Sequence, residues 1–340
     1  MSKIDISVLV PIYNVESHMA RCAASLFSQN VSASVEYIFV DDGSTDGSIA
    51  ALQSEIEKHP EVESVIIRHK RNKGLAAARR TAILAARGEY VTHVDSDDEV
   101  TPEHLASLYA AALTTGADIT SGGYIWDNGK RKKYFHPKPG PTDDAGLNAL
   151  KNEFWSLFGR LIRRELYTSH PDVICPDSIS YGEDLFSTPR LLHYAEKTAS
   201  LPTYTYIYYS ANTGSITNTR SDRRIDDHVA VWSSLYDFFA SAYPDGRYNA
   251  DLGLFVADQK ASLTLNFRIS MTAIKRHADT LRAECAPFIS ALSPAKRAMV
   301  TLLHLHAWPL VKALTLCSAL RWKLAAWVET IMVARHRYTV

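Results

Sequence analysis

The sequence predicts an α/β fold with a mostly parallel central sheet flanked by helices, followed by a helical C-terminal extension. Three observations support this prediction. Short apolar segments alternate with helical patterns through the first hundred residues. Polar and acidic residues follow each apolar segment. Glycine and proline become sparse after Ser221, where helical patterns dominate.

The apolar segments of the first hundred residues have the length and composition of buried strands. They are Ile6–Pro11, Val35–Val40, Val65–Ile67 and Tyr90–Val94. Helical patterns lie between them at Ser17–Gln29, Asp46–Lys58 and Leu75–Arg87. Strand–helix–strand units of this spacing form parallel sheets, in which ligands bind at the carboxyl ends of the strands. We therefore expect the polar residues after each strand to meet at one edge of the sheet.

The domain organisation is predicted from the change in pattern along the chain. Turn signals are frequent from Thr120 to Ser215, which indicates a less regular half of the same domain. We expect one domain over residues 1–218, with halves 1–120 and 121–218, and a helical region over residues 219–340. The helices predicted in that region are Ile225–Phe239, Leu252–Met271, Ala273–Leu292 and Ala295–Arg335.

Composition and charge narrow the class of protein. The formal net charge of +0 argues against nucleic acid as the main partner. The 4 cysteines are scattered without a Cys-x-x-Cys pair, so a reducing compartment fits better than a disulfide framework or a zinc site. The N-terminus runs directly into a predicted strand without a signal-peptide core, and no stretch of about 20 residues is free of charge and proline. A cytoplasmic location is expected.

The segment Asp95-Ser96-Asp97-Asp98 is the most informative polar cluster, because it follows the fourth predicted strand. Neighbouring carboxylates repel each other, and such a cluster normally persists because a cation binds there. Mg²⁺ and Mn²⁺ prefer a few carboxylates together with substrate phosphate oxygens. The alternative is a solvated acidic turn that caps the next helix.

A second polar cluster, residues 41–48, follows the second predicted strand. Asp42 or Ser44 could cap the following helix, as such residues commonly do. Alternatively, a carboxylate here could accept a hydrogen bond from the imide N–H of uracil or from a ribose hydroxyl. Backbone N–H groups at the start of the helix would favour a nearby anion.

Four segments, in this order and spacing, resemble glycosyltransferase family 2, which has the GT-A fold. They are Val10–Asn14, Val40–Asp46, Asn72–Arg79 and Asp95–Asp98. The resemblance covers about residues 5 to 215. It departs from the family's usual pattern at Arg80, where Asn is common, and at Ala82, where Gly is common.

The resemblance implies a nucleotide-diphosphate-sugar donor, Mn²⁺ or Mg²⁺ as cofactor, and inversion at the anomeric carbon. The residues it assigns to the nucleotide are Pro11, Tyr13, Asn14, Asp42, Arg79, Asp95 and Ser96. It assigns the metal ion to Asp97, with Asp95 contacting the ribose or the metal. For Arg79, an equally good hypothesis is an arginine on the surface of its helix.

Asp184, with Glu183 beside it, resembles the family's general base. Direct displacement requires the acceptor hydroxyl to lose its proton as it attacks, and one carboxylate suffices for inversion. The alternative is a helix start that favours negative charge. Upstream, Trp155 could stack on a sugar of the acceptor, although an aromatic residue at this spacing is more often part of the core.

The family suggests transfer to a hydroxyl of a bacterial surface glycan, such as lipopolysaccharide, capsule or exopolysaccharide, free or lipid-linked. A catalytically inactive nucleotide- or sugar-binding scaffold is the non-enzymatic alternative. A sugar-phosphate nucleotidyltransferase would need a Gly-rich, Arg-containing loop after the first strand. A dehydrogenase would need Gly-x-Gly-x-x-Gly there. The sequence has neither motif at that position.

The C-terminal segment is basic and carries an apolar stripe at helical spacing. The stripe consists of Leu310, Ala313, Leu314, Cys317, Leu320, Leu324, Trp327, Val328 and Ile331. It could pack on the protein or on a partner subunit. It could equally dock on anionic lipid at the inner face of the cell membrane, because basic residues and tryptophans accompany it.

Overall fold

The computed structural model describes residues 3–138, 143–152, 154–211, 221–265 and 270–318, with the side chains of 279–286 and 304 left out. The chain forms two compact units, residues 1–216 and residues 217–340. Each unit is described by itself below.

The first unit contains nine strands and seven α-helices among its described residues. The strands are β1 (Ile6–Ile12), β2 (Val35–Asp41), β3 (Glu63–Arg68), β4 (Tyr90–His93), β5 (Glu99–Val100), β6 (Ile119–Asp127), β7 (Lys132–Phe135), β8 (Arg160–Arg163) and β9 (Thr198–Tyr209). The helices are α1 (Glu16–Phe27), α2 (Ser48–Ile56), α3 (Leu75–Ala85), α4 (His104–Thr115), α5 (Ala145–Lys151), α6 (Glu165–Ser169) and α7 (Glu183–Tyr194). The four strands and three helices expected before residue 95 are confirmed.

All nine strands belong to one sheet in the order β3-β2-β1-β4-β8-β6-β9-β5, with β7 paired to β6. The four strands from β3 to β4 are parallel. Beyond them, β8 is antiparallel to both β4 and β6, whereas β9 is parallel to β6. The chain moves outward from β1 to β3 and then crosses back to β4 on the other side of β1. Ligands of open α/β sheets bind at this kind of switch point.

Strand β1 lies inside the sheet, and all of its residues are buried. Val8 and Val10 of β1 pack with apolar residues of α1 and α4 in one core. Leu9 packs on the opposite face with residues of α3 and α7. Successive side chains of a strand point to opposite faces, so β1 contributes to both layers.

Pro11 is buried inside β1, opposite Val40 of β2. The carbonyl of Leu9 accepts from the amide of Val94 on the β4 side, and the carbonyl of Ile12 accepts from Asp42 on the β2 side. Because successive residues of β1 bond alternately to β4 and to β2, the nitrogen of Pro11 faces the β4 side. At this position β4 has already ended. A central strand therefore tolerates proline here, because no ladder hydrogen bond is lost.

The second unit is helical over its described residues. Its helices are α8 (Arg223–Ala242), α9 (Asn249–Thr264), α10 (Met271–Cys285) and α11 (Pro294–His304), followed by helical residues 308–318. The prediction of one continuous helix from Ala295 to Arg335 is wrong. The chain leaves the helix after His304, and His306 takes a left-handed conformation with φ 51. Pro309 is then accommodated in the first turn of the next helix, where its missing N–H is not needed.

The apolar stripe predicted near the C-terminus is only partly described, since residues 319–340 lie outside the described residues. Within 308–318 the buried positions are Val311 and Thr315. Leu310, Ala313 and Cys317 of the stripe are exposed. Leu314 of the stripe is half-buried, so three of the four described stripe positions are exposed.

Among the helices that the structure describes, none has both the length and the apolar character that crossing a membrane requires.

Candidate functional site

The loops after β1 and β2 are joined at the carboxyl edge of the sheet by Asn14. Its backbone N–H donates to Ser44 Oγ (3.2 Å), and its side-chain oxygen accepts from the amide of Thr45 (2.9 Å). Asn14 has φ 51, a left-handed conformation that asparagine tolerates better than most residues. Asn14 thus holds the loop after β1 against the loop after β2. Tyr13 beside it is 46% exposed and presents its ring to solvent.

Asp42 is buried and binds the loop that follows β3. Its carboxylate accepts from the amides of Lys73 (2.9 Å) and Gly74 (2.8 Å). The hypothesis that Asp42 or Ser44 caps α2 is wrong, because the side chain of Asp46 accepts from the amide of Ser48 instead (3.0 Å).

His69 is a further residue of this edge that the sequence analysis did not single out. Its Nδ1 lies 2.6 Å from Asp42 Oδ1, and its Nε2 lies 2.9 Å from Thr81 Oγ1. The Thr81 hydroxyl in turn contacts the carbonyl of Ala77 in α3 (2.9 Å). His69 therefore links Asp42 to the first turns of α3. The available signal was its position directly after the third strand, where the other strands also place polar residues.

Exposure alternates along the acidic loop after β4. Asp95 and Asp97 are half-buried, whereas Ser96 and Asp98 are buried. Asp98 accepts from the hydroxyl of Tyr206 (2.8 Å) and from the amide of Tyr209 (2.8 Å).

Burial, and then the neighbouring carboxylates, raise the pKa of Asp98 well above its ordinary value. The hypothesis of a solvated turn that caps the next helix is wrong, because Asp98 is fully buried and no side chain caps α4, which begins at His104. Asp98 holds the loop in place, and Asp95 and Asp97 remain partly accessible.

Arg79 lies at the centre of the site. It is only 4% exposed, so the hypothesis of a surface arginine is wrong. Its Nη1 donates to Glu183 Oε1 (2.7 Å) and to Asp184 Oδ1. Its Nη2 donates to Asp95 Oδ1 (2.7 Å). One guanidinium thus joins the acidic loop to the candidate base and its neighbour.

Glu183 and Asp184 form the first turn of α7, which starts after Gly182 in a left-handed conformation (φ 88). Asp184 Oδ2 also accepts from the amide of Leu157 (3.2 Å). Burial raises the pKa of Asp184, and it raises the pKa of Glu183 to about 7, while Arg79 opposes both shifts. Three carboxylates around one cation leave an excess of negative charge, which favours a retained proton.

Trp155 is half-buried in the segment that precedes β8. Arg160 fixes this segment, since its Nε donates to the carbonyl of Ser156 (2.8 Å) and its Nη2 to the carbonyl of Phe154 (2.7 Å). Burial lowers the pKa of Arg160 to about 10. The same segment supplies the amide of Leu157 to Asp184, so Trp155 lies two residues before a direct contact of the candidate base.

The described side chains offer few ligands for a metal ion. They contain no group of three or more His, Cys, Asp and Glu positioned to hold a metal ion by themselves. Asp95 and Asp97 nevertheless offer two partly accessible carboxylates in one loop. Mg²⁺ and Mn²⁺ are typically bound by one or two carboxylates with substrate phosphates, so these residues fit such an ion.

The family model of glycosyl transferase family 2 matches residues 7–181, which is more than half of the chain. The chain is a glycosyltransferase, and it belongs to glycosyltransferase family 2.

Two curated relatives extend beyond this match. The uncharacterized glycosyltransferase EpsJ of Bacillus subtilis (strain 168) is 29% identical over 270 residues, covering 76% of this chain and 77% of EpsJ. A poly(ribitol-phosphate) beta-glucosyltransferase of Bacillus spizizenii is 32% identical over 283 residues. That match covers 82% of this chain and 41% of the longer relative.

Among solved structures, residues 1–349 of S. aureus TarS in complex with UDP-GlcNAc give a TM-score of 0.71 at 16% identity. The match covers 92% of this chain and 90% of that chain. A mannosyltransferase from Pyrobaculum calidifontis, in complex with GDP-Man and Mn²⁺, gives a TM-score of 0.52 at 18% identity. These similarities confirm the predicted GT-A fold.

Proposed function

We propose that the protein is an inverting glycosyltransferase that moves a sugar from a nucleotide-diphosphate-sugar to a hydroxyl of a bacterial surface glycan. The supporting observation is the cluster around Arg79, because one side chain contacts both the acidic loop and the first turn of α7. Direct displacement needs the donor groups and the general base to be held this close together.

The proposed donor is a UDP-sugar. The TarS structures with UDP and UDP-GlcNAc support this class of donor. Tyr13 offers an exposed ring for stacking on the base. Asp42 is oriented by two backbone amides and His69, and it would accept from the uracil imide. Pro11 and Asn14 would shape this pocket, and Ser96 would lie beside the ribose.

Asp97, with Asp95, would hold Mn²⁺ or Mg²⁺ next to the donor diphosphate. When bound, the ion would neutralise the negative charge that builds up on the departing diphosphate. The remaining chemistry belongs to residues of the chain: Asp95 stays tied to Arg79, and Asp98 keeps the loop in its conformation.

Asp184 is the proposed general base, and Glu183 lies beside it. A carboxylate in this position accepts the proton of the acceptor hydroxyl as that oxygen forms its bond to the anomeric carbon and the bond to the diphosphate breaks. Burial raises the pKa of Asp184, which makes it a stronger base than an exposed aspartate.

The acceptor is proposed to be a surface glycan or its lipid-linked precursor. The name of the Bacillus spizizenii relative, a poly(ribitol-phosphate) beta-glucosyltransferase, supports a polymeric acceptor. Trp155 would stack on an acceptor sugar. The exposed side chains of Leu310 (57%) and Leu316 (54%) support contact of the C-terminal helices with an anionic membrane from the cytoplasmic side.

The experiment that tests this proposal is calorimetric titration with UDP, GDP, CDP and ADP, with and without Mn²⁺. We expect wild type to bind UDP in a Mn²⁺-dependent manner. Asp97→Ala should weaken this binding at least about tenfold, because a metal ligand is lost. Glu61→Ala is the matched control, since Glu61 is an exposed carboxylate outside the site.

If no nucleotide binds to wild type, the proposed donor site is wrong. Nucleotide binding without turnover of any UDP-sugar would instead favour the inactive scaffold.

A further inference from the structure

The guanidinium of Arg79 is shared by three carboxylates that come from two distant parts of the chain. Asp95 lies 16 residues after it, whereas Glu183 and Asp184 lie 104 and 105 residues after it. Three of the five N–H donors of an arginine are used in these contacts. The side chain is 4% exposed. These three donors therefore face protein carboxylates, and little of the Arg79 surface faces the solvent from which a nucleotide would arrive.

Asp184 is fixed at both of its oxygens. Arg79 donates to Oδ1 and the amide of Leu157 donates to Oδ2. Two donors on opposite oxygens define the plane of the carboxylate, and a charged guanidinium fork does this more rigidly than a point charge. Each oxygen still has a second lone pair that is available to an acceptor hydroxyl.

The same arginine makes the base and the acidic loop mutually dependent. Asp95 contacts Nη2 while Asp184 contacts Nη1, so a displacement of the loop pulls on the group that orients the base. A buried carboxylate without such a partner would be strongly disfavoured in its charged form.

We propose that Arg79 is a positioning residue that orients Asp184 for proton abstraction and couples it to the acidic loop, and that it is not a ligand of the nucleotide. This inference rests on the proposed function. It assigns a role that differs from the nucleotide contact implied by the family resemblance.

The first test needs no substrate, because the amide of Leu157 reports on Asp184. Hydrogen exchange is measured on the peptide that covers residues 154–160, in wild type, Arg79→Met, Arg79→Lys and Glu183→Gln. We expect exchange at Leu157 to accelerate at least about tenfold in Arg79→Met and less in Arg79→Lys. Glu183→Gln is the matched control, since it removes another contact of Arg79 and leaves the Leu157–Asp184 bond, and it should stay within about threefold of wild type. Unchanged exchange in Arg79→Met would overturn the proposal.

The second test separates positioning from nucleotide binding. UDP affinity is measured by calorimetry, and UDP release is measured for UDP-Glc and UDP-GlcNAc. Arg79→Met should lower turnover about 100-fold or more and change UDP affinity less than about threefold. Arg79→Lys, or added guanidinium ion with Arg79→Ala, should restore part of the turnover. A tenfold loss of UDP affinity with unchanged turnover of bound donor would show that Arg79 is a nucleotide ligand.

The two tests also separate this inference from the proposed function. If wild type binds no nucleotide, the proposed function fails. Exchange at Leu157 then still decides whether Arg79 orients Asp184.

Discussion

Asp42 is buried and Asp184 is half-buried, and their different partners give the two carboxylates different capacities. Asp42 accepts hydrogen bonds from two backbone amides and contacts His69, and these contacts orient its carboxylate. Asp184 has one amide and one arginine as partners, and burial raises its pKa. The raised pKa of Asp184 suits a carboxylate that has to take up a proton during the reaction.

Asp184→Asn removes the proposed base and keeps the shape of the side chain. We expect turnover of UDP-sugar to fall by about 10² to 10⁴, because general base catalysis is lost, and UDP affinity to stay within a few-fold of wild type. Asp177→Asn is the matched control, as Asp177 is a half-exposed partner of Arg80. Full turnover by Asp184→Asn would exclude this residue as the base.

The pH dependence of wild-type turnover provides a second measurement at this residue. Only the deprotonated carboxylate accepts a proton, and the raised pKa of Asp184 means that this form is lost at higher pH than for an ordinary aspartate. Turnover should therefore fall as the pH decreases, and Glu183, with a pKa of about 7, titrates together with Asp184 in this acidic limb.

At the scale of elements, the strands and helices that precede the acidic loop were predictable from local pattern. The buried strand β1 is a short, mostly apolar segment bounded by polar residues, and a segment of this length and composition is typical of a strand. The environment of Arg79 was not predictable in this way. Its helix α3 is rich in alanine and gives no sign of which face is buried, and its partners lie in α7, more than a hundred residues later.

The turn after β2 depends on Gly43, which has φ +76 and closely approaches the loop after β3. A Cβ at this position would lie 2.8 Å from the backbone carbon of Arg71 and 2.9 Å from the backbone nitrogen of Asn72. Gly116 at the end of α4 has a similar φ of +68, but a Cβ there would meet nothing within 4 Å. Alanine substitutions at these two glycines therefore distinguish the effect of a steric conflict from the effect of a left-handed backbone conformation.

We expect Gly116→Ala to lower the free energy of unfolding by about 1 kcal/mol, the usual cost of a left-handed alanine. Gly43→Ala should lower it by at least about 1 kcal/mol more and should weaken UDP binding, because the loops that hold Asp42 must separate. Urea unfolding and calorimetry measure both effects. Equal losses in the two variants would show that the close approach is not maintained in solution.

At the scale of the whole molecule, the parallel half of the sheet was predictable, and the mixed half was not. β9 pairs with β6 in parallel and with β5 in antiparallel orientation. These pairings join segments that lie far apart in sequence, and local periodicity carries no information about such partners. The break after α11 was not predicted, because helical patterns continue on both sides of Pro309.

The stability of the molecule should depend on pH through His104, which is fully buried. Burial lowers its pKa from the ordinary 6.5 of histidine to about 4. Below pH 6.5 the unfolded chain takes up a proton that the folded chain refuses, so stability is present above this pH and is lost as the pH falls toward 4. The loss should reach about 3 kcal/mol at most.

Urea unfolding between pH 7 and pH 5 tests this dependence. His104→Leu should be less sensitive to pH over this interval than wild type. His18→Leu, which changes a half-buried histidine, serves as the control and should keep the wild-type slope. An identical slope in wild type and His104→Leu would contradict the expectation.

The hydroxyl of Tyr206 accepts from the amide of Asp95 and donates to Asp98, which lies 108 residues before it. The acidic loop is thus built by β4 and completed by a strand from the later part of the unit. Engineering of new specificity by exchanging segments has to respect this bond. A chimera that receives residues 121–218 from another member of the family needs a tyrosine at the equivalent of Tyr206, because otherwise the exchange intended for the acceptor side would also distort the donor side.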